Sequence, residues 1–245
     1  MNRALRCLIA LAAVCAITSC GDPAAYTICL VDVSASITAA GFESEFAAVD
    51  GHVERMHRGD RLTLIPITGN AMGDTPGHVI TLTAPMTRQP YDNDLVQFRV
   101  NAHAEISKLR AEFTCRPAKR TDLLGALAIA QDELTNVVDA ESSFGGRTLY
   151  VFSDFVEDDD DYRFGADRAN APNGEAAEFA RRLQEEHHIG FPATLRVRFV
   201  TLESTDLVRL SSGRLHWIRE FWTAYLAPSK PRWTPIDAVA HRGLK

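Results

Sequence analysis

Apolar residues recur along this chain with two different periods, and the two alternate. Tyr26 to Val31 is a short, continuous apolar run rich in β-branched residues, and it reads as a strand buried on both faces. Phe42, Phe46, Val49, Val53 and Met56 follow at spacings of four, three, four and three, the stripe of an amphipathic helix that stops at Gly59. Arg61 to Thr68 predicts a second strand, Gly69 to Gly77 a loop of turn formers, and Val79 to Ala84 a short strand halted by Pro85 and Pro90. Leu95, Phe98, Ala102, Ile106, Leu109 and Phe113 mark a second helix. Leu123, Leu124, Leu127, Ala130, Leu134 and Val138 mark a third, which begins directly after Thr121. Thr148 to Ser153 reads as another buried strand, Ala176 to His188 as a helix and Leu195 to Leu202 as a last strand. The broad apolar face from Leu215 to Leu226 reads as a core-packing helix.

Strands alternating with helices of these lengths predict βαβ units, hence an α/β domain that is doubly wound, with a mostly parallel sheet and helices on both faces. The length of 245 residues, with 46% hydrophobic and 24% charged content, suits one medium domain. We place that domain at 26–227 and read 228–245, which holds three prolines, as a C-terminal tail.

Residues 1–19 are of a different kind. Arg3 and Arg6 precede an apolar run, Cys7 to Ile17, that is too short to span a bilayer, which predicts an export signal peptide. Ile17-Thr18-Ser19-Cys20 resembles the bacterial lipobox, and the resemblance implies that Cys20 carries lipid and that residues 20–25 form a tether. The expected location is the bacterial cell envelope, lipid-anchored, facing the periplasm or the surface. Gly21 stands where an Asp would signal inner-membrane retention, which favours the outer membrane. The formal charge is −6; losing Arg3 and Arg6 with the signal leaves 24 Lys and Arg against 32 Asp and Glu, or −8. Such a chain lacks the basic footprint of a nucleic-acid binder. Cys29 and Cys115 then remain in an oxidising compartment. A bridge between them is one reading and a buried free Cys29 is the other.

The chemistry gathers where strands end. Asp32, Ser34 and Ser36 occupy alternate positions after the first strand, so an extended backbone projects their oxygens to one side. Thr121 opens the third helix, and Asp154 follows the strand ending at Ser153. In open α/β sheets ligands bind at the carboxyl ends of strands where the strand order reverses. Two carboxylates and three hydroxyls are hard oxygen donors that suit Mg²⁺ or Mn²⁺. In order and spacing the segments D-V-S-A-S, R-T-D-L-L-G-A-L and V-F-S-D-F resemble the metal-ion-dependent adhesion site of von Willebrand factor type A domains, and the resemblance covers roughly Tyr26 to Ala227.

That resemblance implies that Ser34, Ser36 and Thr121 ligate the ion directly, that Asp32 and Asp154 act largely through bound water, and that a partner protein's acidic side chain completes the coordination. Phe155 departs from the family's common Gly, which is expected to narrow the loop. The acidic run Glu157 to Asp161 reads as a solvated loop at the rim of the site. G-x-S-x-G, G-x-G-x-x-G and H-E-x-x-H are absent, and no nucleophile or general base stands beside the cluster in sequence. The expected function is therefore a non-enzymatic, membrane-anchored, cation-dependent protein-binding module. A metal-dependent hydrolase using the same carboxylates and an envelope lipoprotein with a vestigial site are the alternatives.

Overall fold

The computed structural model describes residues 23–86, 93–140, 144–165, 175–236 and 239. The signal segment and Cys20 lie outside them. Six strands form one sheet: β1 (Ala25–Asp32), β2 (Arg61–Ile67), β3 (Ile80–Thr83), β4 (Gly146–Ser153), β5 (Arg196–Thr201) and β6 (Arg232–Thr234). Their order is β3-β2-β1-β4-β5-β6, and all neighbours are parallel except β2 and β3. The expected doubly wound α/β architecture is the one that forms. β1 and β4 adjoin at the centre although residues 33–145, more than half of the domain, separate them in sequence. The chain winds outward in opposite directions from this pair, so the order reverses beside the carboxyl ends of β1 and β4.

Alternation along β1 divides the core. Tyr26, Ile28 and Leu30 face one layer of helices, α4 (Leu123–Ala140), α5 (Ala176–His187) and α6 (Ser212–Tyr225), whereas Cys29, Val31 and Val33 face the other, α1 (Ala39–Arg55) and α3 (Asp94–Cys115). The helices α3 and α6 bury the inner positions of the stripes their sequences predict. On α3 the buried residues are Ala102, Ile106, Leu109 and Phe113; on α6 they are Ile218, Phe221, Trp222 and Tyr225. A one-turn helix, α2 (Ala71–Asp74), and a 3₁₀ turn (Thr75–His78) occupy what the sequence predicts as an irregular loop. Asn70 accounts for that turn by accepting a hydrogen bond from the Gly73 N–H at 3.1 Å. Among the described residues, no helix is long and apolar enough to cross a membrane.

Two readings need correction. The stretch taken as a tail contributes β6, whose Trp233 packs its ring 4.7 Å from Phe155 and 4.8 Å from Phe199, and Val239 beyond it is buried against the α1 side of the sheet. The prolines that suggested a tail flank this edge strand, where a missing N–H costs little. The cysteines are not joined: Cys29 is buried in mid-β1 and Cys115 is exposed at the end of α3, so the free, buried Cys29 is the alternative that the fold contains.

If β6 is part of the folded unit, Trp233→Ala should lower the unfolding free energy by about 2 kcal/mol, less than for a fully buried Trp because this one is half-buried. Urea denaturation followed by far-UV circular dichroism measures this, and an unchanged midpoint would restore the tail reading.

Candidate functional site

The parallel ladder between β1 and β4 pairs Val31 with Phe152, and the next residue on each strand is Asp32 and Ser153. Their side chains meet. The Ser153 hydroxyl donates to Asp32 Oδ2 at 2.6 Å, and the Ser34 N–H donates to Asp32 Oδ1 at 3.1 Å. Beyond β1 the chain bends through Ser34 and Ser36 into α1, whose N-cap Thr38 accepts the Gly41 N–H at 3.1 Å. A Cβ at Gly41 would stand 3.0 Å from the Glu203 carbonyl oxygen, so any larger residue here would push the helix start against the loop after β5.

Main-chain hydrogen bonds tie this bend to two other loops. The Ala35 N–H donates to Ala118 O at 2.8 Å and the Ala118 N–H to Val33 O at 2.9 Å; these fix the loop that ends in Thr121. The Thr205 N–H donates to Ser36 O and the Thr38 N–H to Glu203 O, each at 2.9 Å. Thr121 itself is buried and exchanges main-chain hydrogen bonds with Asp158. With the backbone so committed, side-chain oxygens of the bend turn toward Asp154: Ser34 Oγ lies 2.9 Å from Ser36 Oγ, and Ser36 donates to Asp154 Oδ2 at 3.3 Å. Adjacent ligands of an octahedral ion with bonds near 2.1 Å stand about 3 Å apart, so the two serine hydroxyls have the spacing of one octahedron edge, and Asp154 is hydrogen-bonded to the second of them. The residues present fit a hard divalent cation.

Of the five expected site residues, hydrogen bonds link Ser34, Ser36 and Asp154 directly and place Asp32 behind them through the Ser34 N–H, while Thr121 is joined to none of the four and pairs instead with Asp158, three residues beyond the Ser34–Ala118 bridge. Asp32 and Asp154 are both buried, and burial pushes both carboxyl groups up. Asp154, with Asp32 nearby adding repulsion, is pushed up to about 7. Phe155 takes a left-handed backbone with φ 64°, the conformation that the family's glycine would adopt freely. Its ring does not narrow the loop; it is buried against Phe199 at 5.0 Å and Trp233 at 4.7 Å.

Four contributors escaped the sequence. Ser153 orients Asp32, and Ser204 bonds to Asp154 from the loop after β5. In the same loop Asp206 adds a negative field that raises both Asp32 and Asp154. Glu45 is wholly buried on α1 and accepts the Asp32 N–H at 3.1 Å, while its other carboxyl oxygen has no hydrogen-bond partner. Its signal was available, since position 45 falls three after Phe42 and four before Val49, inside the apolar stripe.

The acidic run is also not uniformly solvated. Glu157 is wholly buried and accepts the Leu123 and Leu124 N–H groups, capping α4 where its dipole favours negative charge. Asp158 pairs with Arg163 at 3.3 Å, and Asp160 and Asp161 are exposed. Asp122, Glu157 and Asp159 have carboxylate oxygens within 4.8 Å of one another, close enough to hold a cation. Each also accepts main-chain N–H groups: Asp122 from Ala71 and Gly125, Asp159 from Asp161 and Tyr162.

The chain matches no protein-family model, and no curated protein sequence matches it. Solved structures do. It is similar to a von Willebrand factor type A structure from Catenulispora acidiphila, with 14% identity and a TM-score of 0.50 over 90% of this chain and 41% of that one. It is also similar to the manganese-loaded TRAP protein of Plasmodium vivax, with 15% identity and a TM-score of 0.44 over 89% of this chain and 71% of that one. A third likeness is to proximal thread matrix protein 1 of the mussel byssus, with 11% identity and a TM-score of 0.42 over 90% of this chain and 46% of that one. The chain thus spans about two fifths of the length of the Catenulispora structure. At such identities the likeness is one of fold, and the chain carries a von Willebrand factor type A-like fold.

A carboxyl group raised by folding binds protons in the native state that it releases in the unfolded chain. The stability contributed by Asp154 is therefore complete below its ordinary value of 3.8 and is lost as pH rises through about 7. In chelator, the melting temperature should be higher at about pH 5.5 than at about pH 8, and Asp154→Asn should reduce the difference. Differential scanning calorimetry checks the sign, and a melting temperature that rises over this interval would contradict the burial argument.

Proposed function

We propose that this protein is a divalent-cation-dependent, non-enzymatic protein-binding module of the bacterial cell envelope, held at the membrane by lipid on Cys20. The observation that carries the reading is the chain of oxygens from Ser34 through Ser36 to Asp154, set over Asp32 at the carboxyl ends of the two central strands. Ser34, Ser36 and Thr121 would hold Mg²⁺ or Mn²⁺ directly, and Asp32 and Asp154 would steady it through water. When bound, the ion supplies an electrophilic centre for a partner's carboxylate, because neutral hydroxyls leave its charge poorly neutralised. The remaining work falls to this chain. The Ser153 hydroxyl and the Ser34 N–H hold Asp32 in place, and the main-chain ties at Ala118 and Thr205 fix the bend that carries Ser34 and Ser36. Asp160 is neutralised by Arg120, so of the exposed acidic pair Asp161 would be the one to disfavour acidic partners that lack basic residues beside their carboxylate.

Adding Mg²⁺ or Mn²⁺ should raise the melting temperature of the purified domain. Binding to the native state alone contributes RT ln(1 + [L]/Kd), about 2.7 kcal/mol at a hundredfold excess over Kd. Thr121→Ala and Ser34→Ala should keep the fold and lose the response; α4 keeps its start because Asp122 and Glu157, rather than Thr121, cap it. No shift with millimolar Mg²⁺ or Mn²⁺, and none on chelation, would sink the cation reading. For the anchor, Cys20→Ser should move the protein from the membrane fraction to the soluble one; retention in the membrane at normal mature size would refute lipidation.

A further inference from the structure

Beside the oxygen cluster lies a cavity of about 460 Å³. Its volume falls within the roughly 300–1,000 Å³ of ligand pockets, and like them it is mainly apolar with few polar groups. Phe155, Leu207, Leu215, Ile218 and Trp233 supply the apolar lining. Two charged residues share it. Asp154 belongs to the cation cluster as well, so the cavity and the cluster adjoin through one side chain. Arg219 lies with its guanidinium over the Trp233 ring at 4.8 Å, and among the described residues no carboxylate pairs with it.

We propose that this cavity receives a bulky apolar side chain of the same partner segment that presents a carboxylate to the ion, so that the module selects an extended acidic peptide with an aromatic or large aliphatic residue two positions from its Asp or Glu. The inference rests on the cation reading above for the placement of the carboxylate. The spacing follows from strand geometry: in an extended segment residues i and i+2 project to the same side, about 7 Å apart, so a carboxylate on the ion brings the second side chain over an adjoining hollow. The charge pattern agrees. With a cation offsetting Asp32 and Asp154, Arg219 is the charge left in the lining, which favours an apolar group with acidic rather than basic neighbours. Shape also agrees, because the ring of Phe155 forms part of the lining instead of filling the space.

The test uses three capped peptides, acetyl-Trp-Gly-Asp-Gly-Trp-amide, the same peptide with both Trp replaced by Ala, and the Trp peptide with Asp replaced by Asn. Their affinities are measured by isothermal calorimetry with Mg²⁺ and in chelator. Leu215→Trp and, independently, Leu207→Trp place an indole in the cavity without touching the oxygen cluster, and Mg²⁺ titration with thermal melting checks that each variant folds and keeps its ion. The Trp-Asp peptide should bind at least tenfold tighter than the Ala-Asp peptide in Mg²⁺, and both variants should erase that advantage. Equal affinities, or an advantage that survives both variants, would overturn the cavity assignment while cation-dependent binding of the Ala-Asp peptide stands. Binding of the Trp-Asn peptide that is unchanged in chelator but lost in both variants would support the cavity and overturn the cation reading.

Discussion

Two carboxylates buried side by side at the ends of adjacent strands are the constraint on which this molecule depends. Removing one carboxylate from water costs several kcal/mol unless it is paired, and a second of like charge adds repulsion. Asp32 meets this by accepting from the Ser153 hydroxyl and the Ser34 N–H, and Asp154 by accepting from Ser36 and the Val156 N–H. Neutral donors do not cancel two negative charges. The field of Asp206 aggravates the imbalance, and the raised carboxyl groups express it. The fold can relieve it by taking up protons or a cation, and near neutral pH a cation relieves it without giving up the charges.

Holding the oxygens in place falls to the backbone. Four loops from distant parts of the sequence are joined by main-chain hydrogen bonds at Ala35–Ala118, Thr121–Asp158 and Ser36–Thr205. Because these bonds satisfy the peptide groups, the hydroxyls of Ser34 and Ser36 are not needed to cap the turn and remain available as ligands. The loop after β5 is the part whose role no motif announces. It contributes Ser204 to Asp154 and packs so closely against the start of α1 that a Cβ at Gly41 would press on the Glu203 carbonyl.

Most of the fold was legible because burial in an α/β sheet imposes simple periods: continuous apolar runs became β1 and β4, and the 3.6-residue stripes became α1, α3 and α6. The D-x-S-x-S pattern was legible for the same reason, since period two predicts a common side for its oxygens. What escaped was polar chemistry set inside apolar context. Glu157 read as part of a solvated loop and Glu45 went unread, because sequence shows a residue's type but not the strand end or helix start facing it; Glu45 holds the Asp32 N–H and Glu157 caps α4. β6 escaped because three residues between prolines carry no period, and only the packing of Trp233 on Phe155 and Phe199 makes them a strand.

Phe155 joins these observations. A non-glycine residue at φ 64° carries backbone strain on the order of 1 kcal/mol, which persists only where the surroundings over-determine it. Here they do. Its ring is wedged among Phe199, Trp222 and Trp233, its carbonyl accepts the Trp222 indole N–H at 2.9 Å, and its own N–H donates to Ser153. Burying a phenylalanine ring contributes about 2 kcal/mol, enough to outweigh the strain. Glycine at this position would keep those two main-chain hydrogen bonds but lose the ring, whereas phenylalanine also ties the segment after Asp154 to the aromatic core and, through Trp233, to the last strand of the sheet. The orientation of the Asp154 carboxylate is thus set by core packing as much as by the loop that carries it.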